Sequence, residues 1–333
     1  MIENKINEIL KNKKCKRSFP IKNYKPVKKP EEQGLIVAAG ERIYALEGDE
    51  RFMVSIIALR DNNVNKLLYN NNVLYDLSGS KIRDTLTDKI IFEAGEEIIG
   101  AAFRKEVIYC NSWQKIYDTS NKKIIIDSTR HLIHNLISYD GRLYHIQHGE
   151  NGFFDTLSGK KITTKGYGDS MRNLISHKNK LYYSSDNSYG RGFIIGIKNV
   201  DDLLSSKTSP DEIKEPDNLY IGYDYNDSNK QGILKLFSEG DKLYHVSPTC
   251  IFETINKKII ANRKSHIKCI KYHNGKVLDS SLNKIFDTYK DQFGQNPLMI
   301  FESEINDMCN VPMHLFNKFV NKGLVLNNDS MPN

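Results

Sequence analysis

Tryptophan is almost absent: one residue in 333, Trp113. The five cysteines, Cys15, Cys110, Cys250, Cys269 and Cys309, are odd in number and scattered, and none forms a C-x-x-C pair. That spacing argues against a structural zinc site and for a reduced chain. No stretch approaches the roughly 18 consecutive apolar residues that a membrane span requires. The first residues, MIENKINEILKNKK, lack the apolar core and small-residue cleavage site of a secretory signal. Together these absences predict a reduced, cytoplasmic (intracellular) protein without membrane association. Nucleophile elbows (G-x-S-x-G), phosphate-binding glycine loops and H-E-x-x-H are all missing. No catalytic residue, cofactor-binding residue or metal ligand is therefore assigned, and no cofactor is expected.

Charge is present but unevenly placed. The chain carries a formal +7. Residues 1–30 hold ten cations, among them Lys11, Lys13, Lys14, Lys16, Arg17, Lys25, Lys28 and Lys29, against Glu3 and Glu8. That segment is +8, which leaves the remainder at −1. Ile2, Ile6, Ile9 and Leu10 fit one face of a short helix, and Pro20, Pro26 and Pro30 make the following segment an extended linker. Residues 1–33 thus read as a basic tail with a short helix and a proline-containing linker. Such a block is either a solvated surface or an arm that meets an acidic protein or a nucleic acid.

What is abundant is repetition. Residues 135–162, NLISYDGRLYHIQHGENGFFDTLSGKKI, contain four short apolar runs separated by Asp140-Gly141, Gly149–Gly152 and Ser158-Gly159. Asp-Gly between alternating runs signals a tight hairpin, because glycine accepts the positive φ that the turn needs. An aromatic or apolar pair followed by an acid and Thr recurs as Tyr75-Asp76, Tyr117-Asp118-Thr119, Phe154-Asp155-Thr156, Phe252-Glu253-Thr254 and Phe286-Asp287-Thr288, with a degenerate copy at Gly192–Gly196. A second pair precedes each, from Leu68-Tyr69 to Val277-Leu278. Marker steps of 42, 37, 41, 57 and 34 residues suit four-stranded propeller blades. The long step contains a polar insertion, Asp201 to Pro216.

Residues 35–54 supply three strands of a further blade whose innermost strand is missing. Leu298–Phe301 is an apolar run without a place, and it is predicted to insert beside them and close the ring, since an open array would leave edges and apolar faces exposed. The expected fold is an all-β, seven-bladed propeller of four-stranded antiparallel blades over 34–303, with six blades as the alternative. Residues 304–333 are read as a helical extension with a disordered end. The helix is predicted over Ile305–Val325 through Met313, Leu315, Phe316, Phe319 and Val320.

Ile43-Tyr44-Ala45-Leu46-Glu47-Gly48-Asp49 and Phe154-Asp155-Thr156-Leu157-Ser158-Gly159-Lys160 resemble the L-Y-A-L-D-x-x-T-G-K repeats of quinoprotein-type propellers. The resemblance runs over about residues 34–303. That family's strand-four Trp is replaced by Ile82, Ile124, Ile162 and Ile259, and with one Trp in the chain the resemblance implies a fold and no quinone cofactor.

His131 and His134, and His145 and His148, are three residues apart, which in a strand points each pair to opposite faces. Loops between second and third strands, and between blades, converge on one side of a propeller. They bring forward Trp113, Arg130, His131, His134, His148, Tyr167, Arg172, Asp186, Tyr189, Arg191 and Arg263. Aromatic and Arg side chains are typical interface anchors, although surface loops of this length hold several by chance. Two functions follow. One is a non-catalytic interaction scaffold that binds a protein partner through this loop face, with nucleic acid as a possible partner of the tail. The alternative is a propeller enzyme or small-ligand binder that uses a polar central funnel.

Overall fold

Both residues of the Asp140-Gly141 turn have positive φ, 48° and 68°, as do Asn71-Asn72, Lys178-Asn179 and Asn274-Gly275. Each pair joins the first two strands of a blade, where turns of this hand match the twist of the strands they connect. The computed structural model describes residues 33–48, 52–150, 152–163, 170–186, 191–197, 221–224, 233–256 and 258–326. Within them are seven four-stranded antiparallel sheets.

Blade 1 comprises Ile305–Pro312, Gln33–Ala39, Arg42–Glu47 and Met53–Leu59, from the axis outward. Blade 2 runs from Val64–Asn70 through Val73–Ser78 and Lys81–Asp84 to Ile90–Glu93. Blade 3 begins at Gly100–Arg104, blade 4 at Ile133–Tyr139, blade 5 at Ser170–His177, blade 6 at Lys235–Glu239 and blade 7 at Ile267–His273. The seven innermost strands contact one another in ring order, and blade 7 meets blade 1. The fourth strand of blade 5, Ile221–Asp224, follows the insertion, which lies outside the described residues.

Three expectations are corrected. Leu298–Phe301 does not close the ring: Met299–Ile300 pairs with Lys284–Ile285 as the outer edge of blade 7. Closure comes from Ile305–Pro312, which pairs along the whole of Gln33–Ala39. Those eight residues are therefore strand, and the C-terminal helix starts at Met313 and runs to Leu326. Tyr75-Asp76 belongs to a second strand, not a third. Tyr75 pairs with Asp84 as Tyr109 pairs with Asp118 and Tyr144 with Asp155, so Asp84 is the true marker. The first step is then 34 residues, and Ile82 lies in a third strand.

The Asp-Thr marker is structural. Asp84, Asp118 and Asp155 each accept hydrogen bonds from the next turn's amides, and the following Thr85, Thr119 and Thr156 donate back to Leu74, Ile108 and Leu143. These satisfy backbone groups that the strand end would leave unpaired.

A second repeat sits at the axis. Each blade opens with a buried aliphatic residue and another three residues later: Val64 and Leu67, Ile98 and Ala101, Ile133 and Leu136, Met171 and Leu174, Ile233 and Leu236, Ile267 and Ile270, Ile305 and Met308. Both members of every pair enter the same core cluster. A regular strand would send them to opposite faces. A β-bulge between them absorbs one residue, with register shifts at Val64/Lys66, Ile133/Asn135, Met171/Asn173 and Ile267/Cys269. Leu315, Phe316 and Phe319 of the helix pack on Ile36, Ile43 and Ile57 of blade 1. No described helix is long and apolar enough to cross a membrane.

Candidate functional site

The bulges aim side chains at the axis. The residues absorbed by them include Asn65, His134, Arg172 and Asn306, which line the mouth of an axial cavity of about 730 Å³. The next residue of every inner strand forms a level below: Lys66, Gly100, Asn135, Asn173, Lys235, Cys269 and Asp307. Lys271 and Glu239 line the cavity further along their strands. Four cations, Lys66, Arg172, Lys235 and Lys271, thus face two carboxylates, Glu239 and Asp307.

The carboxylates are already engaged. Lys271 donates to Glu239 at 3.0 Å, and although burial works to lower its pKa, Glu239 together with Cys309 and Asp307 outweighs that and raises it. Asp307 accepts the amide hydrogens of Leu67 and Met308 at 3.0 and 2.9 Å. Lys66 donates to the Ala101 carbonyl at 3.1 Å, and Lys235 to the Lys268 carbonyl at 3.2 Å. Burial pulls the Lys66 pKa down and the Lys235 charge adds to the effect, while Asp307 opposes it. Lys66 keeps part of its surface open, so this burial is the surrounding channel wall and not a sealed core. Cys269 is pushed up to about 12 by burial, so it stays a thiol.

Beside the mouth, the blade 3–4 junction orders an exposed ring cluster. The Ile133 amide donates to the Trp113 carbonyl at 2.6 Å, and the His148 amide to the Leu132 carbonyl at 2.7 Å. These bonds tie the Trp113 turn, the inter-blade segment and the His148 turn together. Trp113 is 45% exposed and meets His134 edge-on at 6.1 Å, and His134 meets His148 at 5.0 Å. Burial lowers the His134 pKa, and His148 and Arg172 lower it further. His131 hydrogen-bonds the His148 carbonyl through Nδ1 at 3.2 Å and approaches Glu150 at 3.5 Å. Lys161 holds the Glu150 carboxyl below its ordinary range.

Of the residues singled out from sequence, Trp113, His131, His134, His148 and Arg172 are brought together at this junction. Arg130 is exposed in the same inter-blade connection. Arg191 and Asp186 fall in blade 5 strands. Tyr167, Tyr189 and the basic tail, Lys11 to Lys29, lie outside the described residues.

Arg263 is a correction. It is buried and forms a bidentate pair with Asp279, bonds the carbonyls of Asn262 and Asp291, and lies 4.5 Å from the Phe286 ring. A guanidinium so enclosed holds blade 7 together and presents nothing to a partner. Lys66, Lys235, Lys271 and Asp307 were missed. The aliphatic pairs that flank the bulge positions are the signal that marks Lys66, Lys235 and Asp307, and Lys271 directly follows the second member of its pair, Ile270.

Among the described residues no group of three or more His, Cys, Asp or Glu is placed to hold a metal ion. No family model and no curated protein matches the chain. Solved structures do. A computationally designed protein, Ika8, matches with a TM-score of 0.51 at 12% identity, over 82% of this chain and 90% of the other. A chain of the mitotic checkpoint complex matches with a TM-score of 0.52 at 13% identity, over 74% and 83%. The WD40 β-propeller domain of Doa1 matches with a TM-score of 0.52 at 11% identity, over 75% and 86%. At such identities the likeness concerns the propeller fold alone, and none of these matches links the chain to the quinoprotein family.

Proposed function

We propose that this β-propeller is a non-catalytic interaction module that seats a protein partner on the face where its inter-blade segments and second-to-third strand turns meet. The observation that carries the reading is the exposed Trp113–His134–His148 cluster, fixed by backbone hydrogen bonds between blades and bordered by Arg172. Trp and Arg dominate the energetics of interfaces, and an anchor already held in place loses little freedom on binding. The propeller folds of the mitotic checkpoint complex chain and of Doa1 are consistent with a scaffold role. In this reading the tail adds a salt-sensitive contact with an acidic protein surface or nucleic acid.

The test is capture from native lysate on the immobilised full chain, with and without RNase. Wild type is expected to retain a partner in both arms, and Trp113→Ala to retain roughly tenfold less, in line with a hot-spot loss. Replacing Lys13, Lys14, Lys16 and Arg17 together by Gln should weaken retention and flatten its salt dependence. Equal retention by Trp113→Ala would overturn the loop-face reading, and RNase sensitivity would move the partner to nucleic acid. A second reading, the funnel as a small-ligand site, is favoured by the polar, cation-rich axial cavity.

A further inference from the structure

Lys66 and Lys235 stand in the axial cavity without a direct ion pair among the described residues. Lys271 is matched by Glu239, and both Asp307 oxygens accept backbone amides. Among the described residues no carboxylate lies within 4.0 Å of the Lys66 or Lys235 ammonium. Each has three N–H donors, and each gives one to a carbonyl, of Ala101 and Lys268 respectively. Lys66 and Lys235 occupy the same level of the ring on blades 2 and 6 and repel each other. Arg172 stands one level nearer the mouth on blade 5.

Asp307 is the one carboxylate at the level of Lys66 and Lys235, so that level of the walled channel keeps an excess positive charge, and the walls that raise its cost also strengthen the attraction to an anionic ligand. The cavity volume is in the range of small-molecule sites and exceeds what a single inorganic ion fills. We infer that the axial channel binds a small multivalent anion of the phosphoryl class, with Lys66 and Lys235 as the paired cations and Arg172 as the mouth contact. Lysine suits such a group as a point charge, and the Arg172 guanidinium suits a second phosphoryl oxygen pair nearer the entrance. This rests on the funnel reading; the site shares Arg172 with the border of the loop-face cluster but does not include Trp113.

Thermal unfolding of the full chain with pyrophosphate tests it, against orthophosphate and against chloride at matched ionic strength. A saturable rise of several degrees with pyrophosphate is expected, with a smaller rise for orthophosphate and none for chloride. Lys66→Gln and Lys235→Gln should each weaken pyrophosphate about tenfold or more by calorimetry. Lys235 is exposed to the channel, so its replacement keeps the test available if Lys66→Gln fails to fold. Trp113→Ala should leave the pyrophosphate shift intact, which separates this site from the partner face. No saturable shift in wild type, a chloride effect of equal size, or an undiminished shift in Lys235→Gln would each overturn the assignment.

Discussion

Arg60, Asp76 and Thr85 form one buried set, and Arg263, Asp279 and Thr288 form another with the same separations of 16 and 9 residues. In each, the arginine ahead of a blade reaches the aspartate of its second strand, and the threonine after the third strand donates to the same carboxylate. Blades 4 and 6 place a histidine where these have aspartate. His145 stacks on Phe154 and bonds Thr156, and His245 stacks on Phe252 and bonds Thr254. Each choice at this position comes with its own partners, among them the threonine after the third strand of the same blade. Burial lowers the His145 pKa to about 4 and the His245 pKa to about 3, from an ordinary 6.5. Both are depressed, so their contribution is intact above pH 6.5 and is lost as pH falls toward 4 and then 3. Full protonation corresponds to about 3 kcal/mol or more for each. Urea midpoints should therefore drop between pH 6.5 and 4, with a shallower slope in His145→Gln and His245→Gln. NMR should show both imidazoles neutral down to about pH 5, and a histidine that titrates near 6.5 at either position would refute the account.

The turns and the Asp-Thr markers were legible because glycine and aspartate at strand ends have few other uses. The inner strands were not, because a bulge gives a strand the apolar spacing of a helix. Ile305 and Met308 are the seventh copy of that spacing, and followed by Met313 to Val320 they read as one long helix. Leu68-Tyr69 misled in the opposite direction, as it imitates the Leu74-Tyr75 pair six residues on. The helix docks where Gly34 leaves room for it. A Cβ on Gly34 would overlap the ring of Phe316, which packs on blade 1. Gly34→Ala should cost about 1–3 kcal/mol as an overpacked site, and Phe316→Ala about 3–5 kcal/mol as a cavity. Combining them should cost clearly less than the sum, because the added methyl enters space that the ring vacated. Denaturant unfolding of the three variants measures this, and strict additivity would show that Gly34 is required for another reason.

Closure of the ring joins the two ends of the described body in one sheet. Ile305–Pro312 supplies both the inner strand of blade 1 and the contacts to the inner strands of blades 2 and 7. A chain ending at residue 304 therefore loses more than eight residues of sheet. It leaves the Gln33–Ala39 edge unpaired, opens Ile36 and Val37 to water, and exposes the facing sides of two neighbouring blades. A chain ending at residue 312 keeps the ring and uncovers only the apolar patch under the helix. Trp113, the one tryptophan, lies at the blade 3–4 junction, away from this seam, and so reports whether the ring behaves as a unit. The chain ending at 312 should show a cooperative fluorescence transition at a lower urea midpoint than wild type, and that ending at 304 should aggregate or lose the transition altogether. Stacked units share stability with their neighbours, and in a closed ring every unit has two. If the Trp113 transition persists unchanged in the chain ending at 304, the blades are stable without closure, and the contacts along Ile305–Pro312 contribute to blade 1 alone.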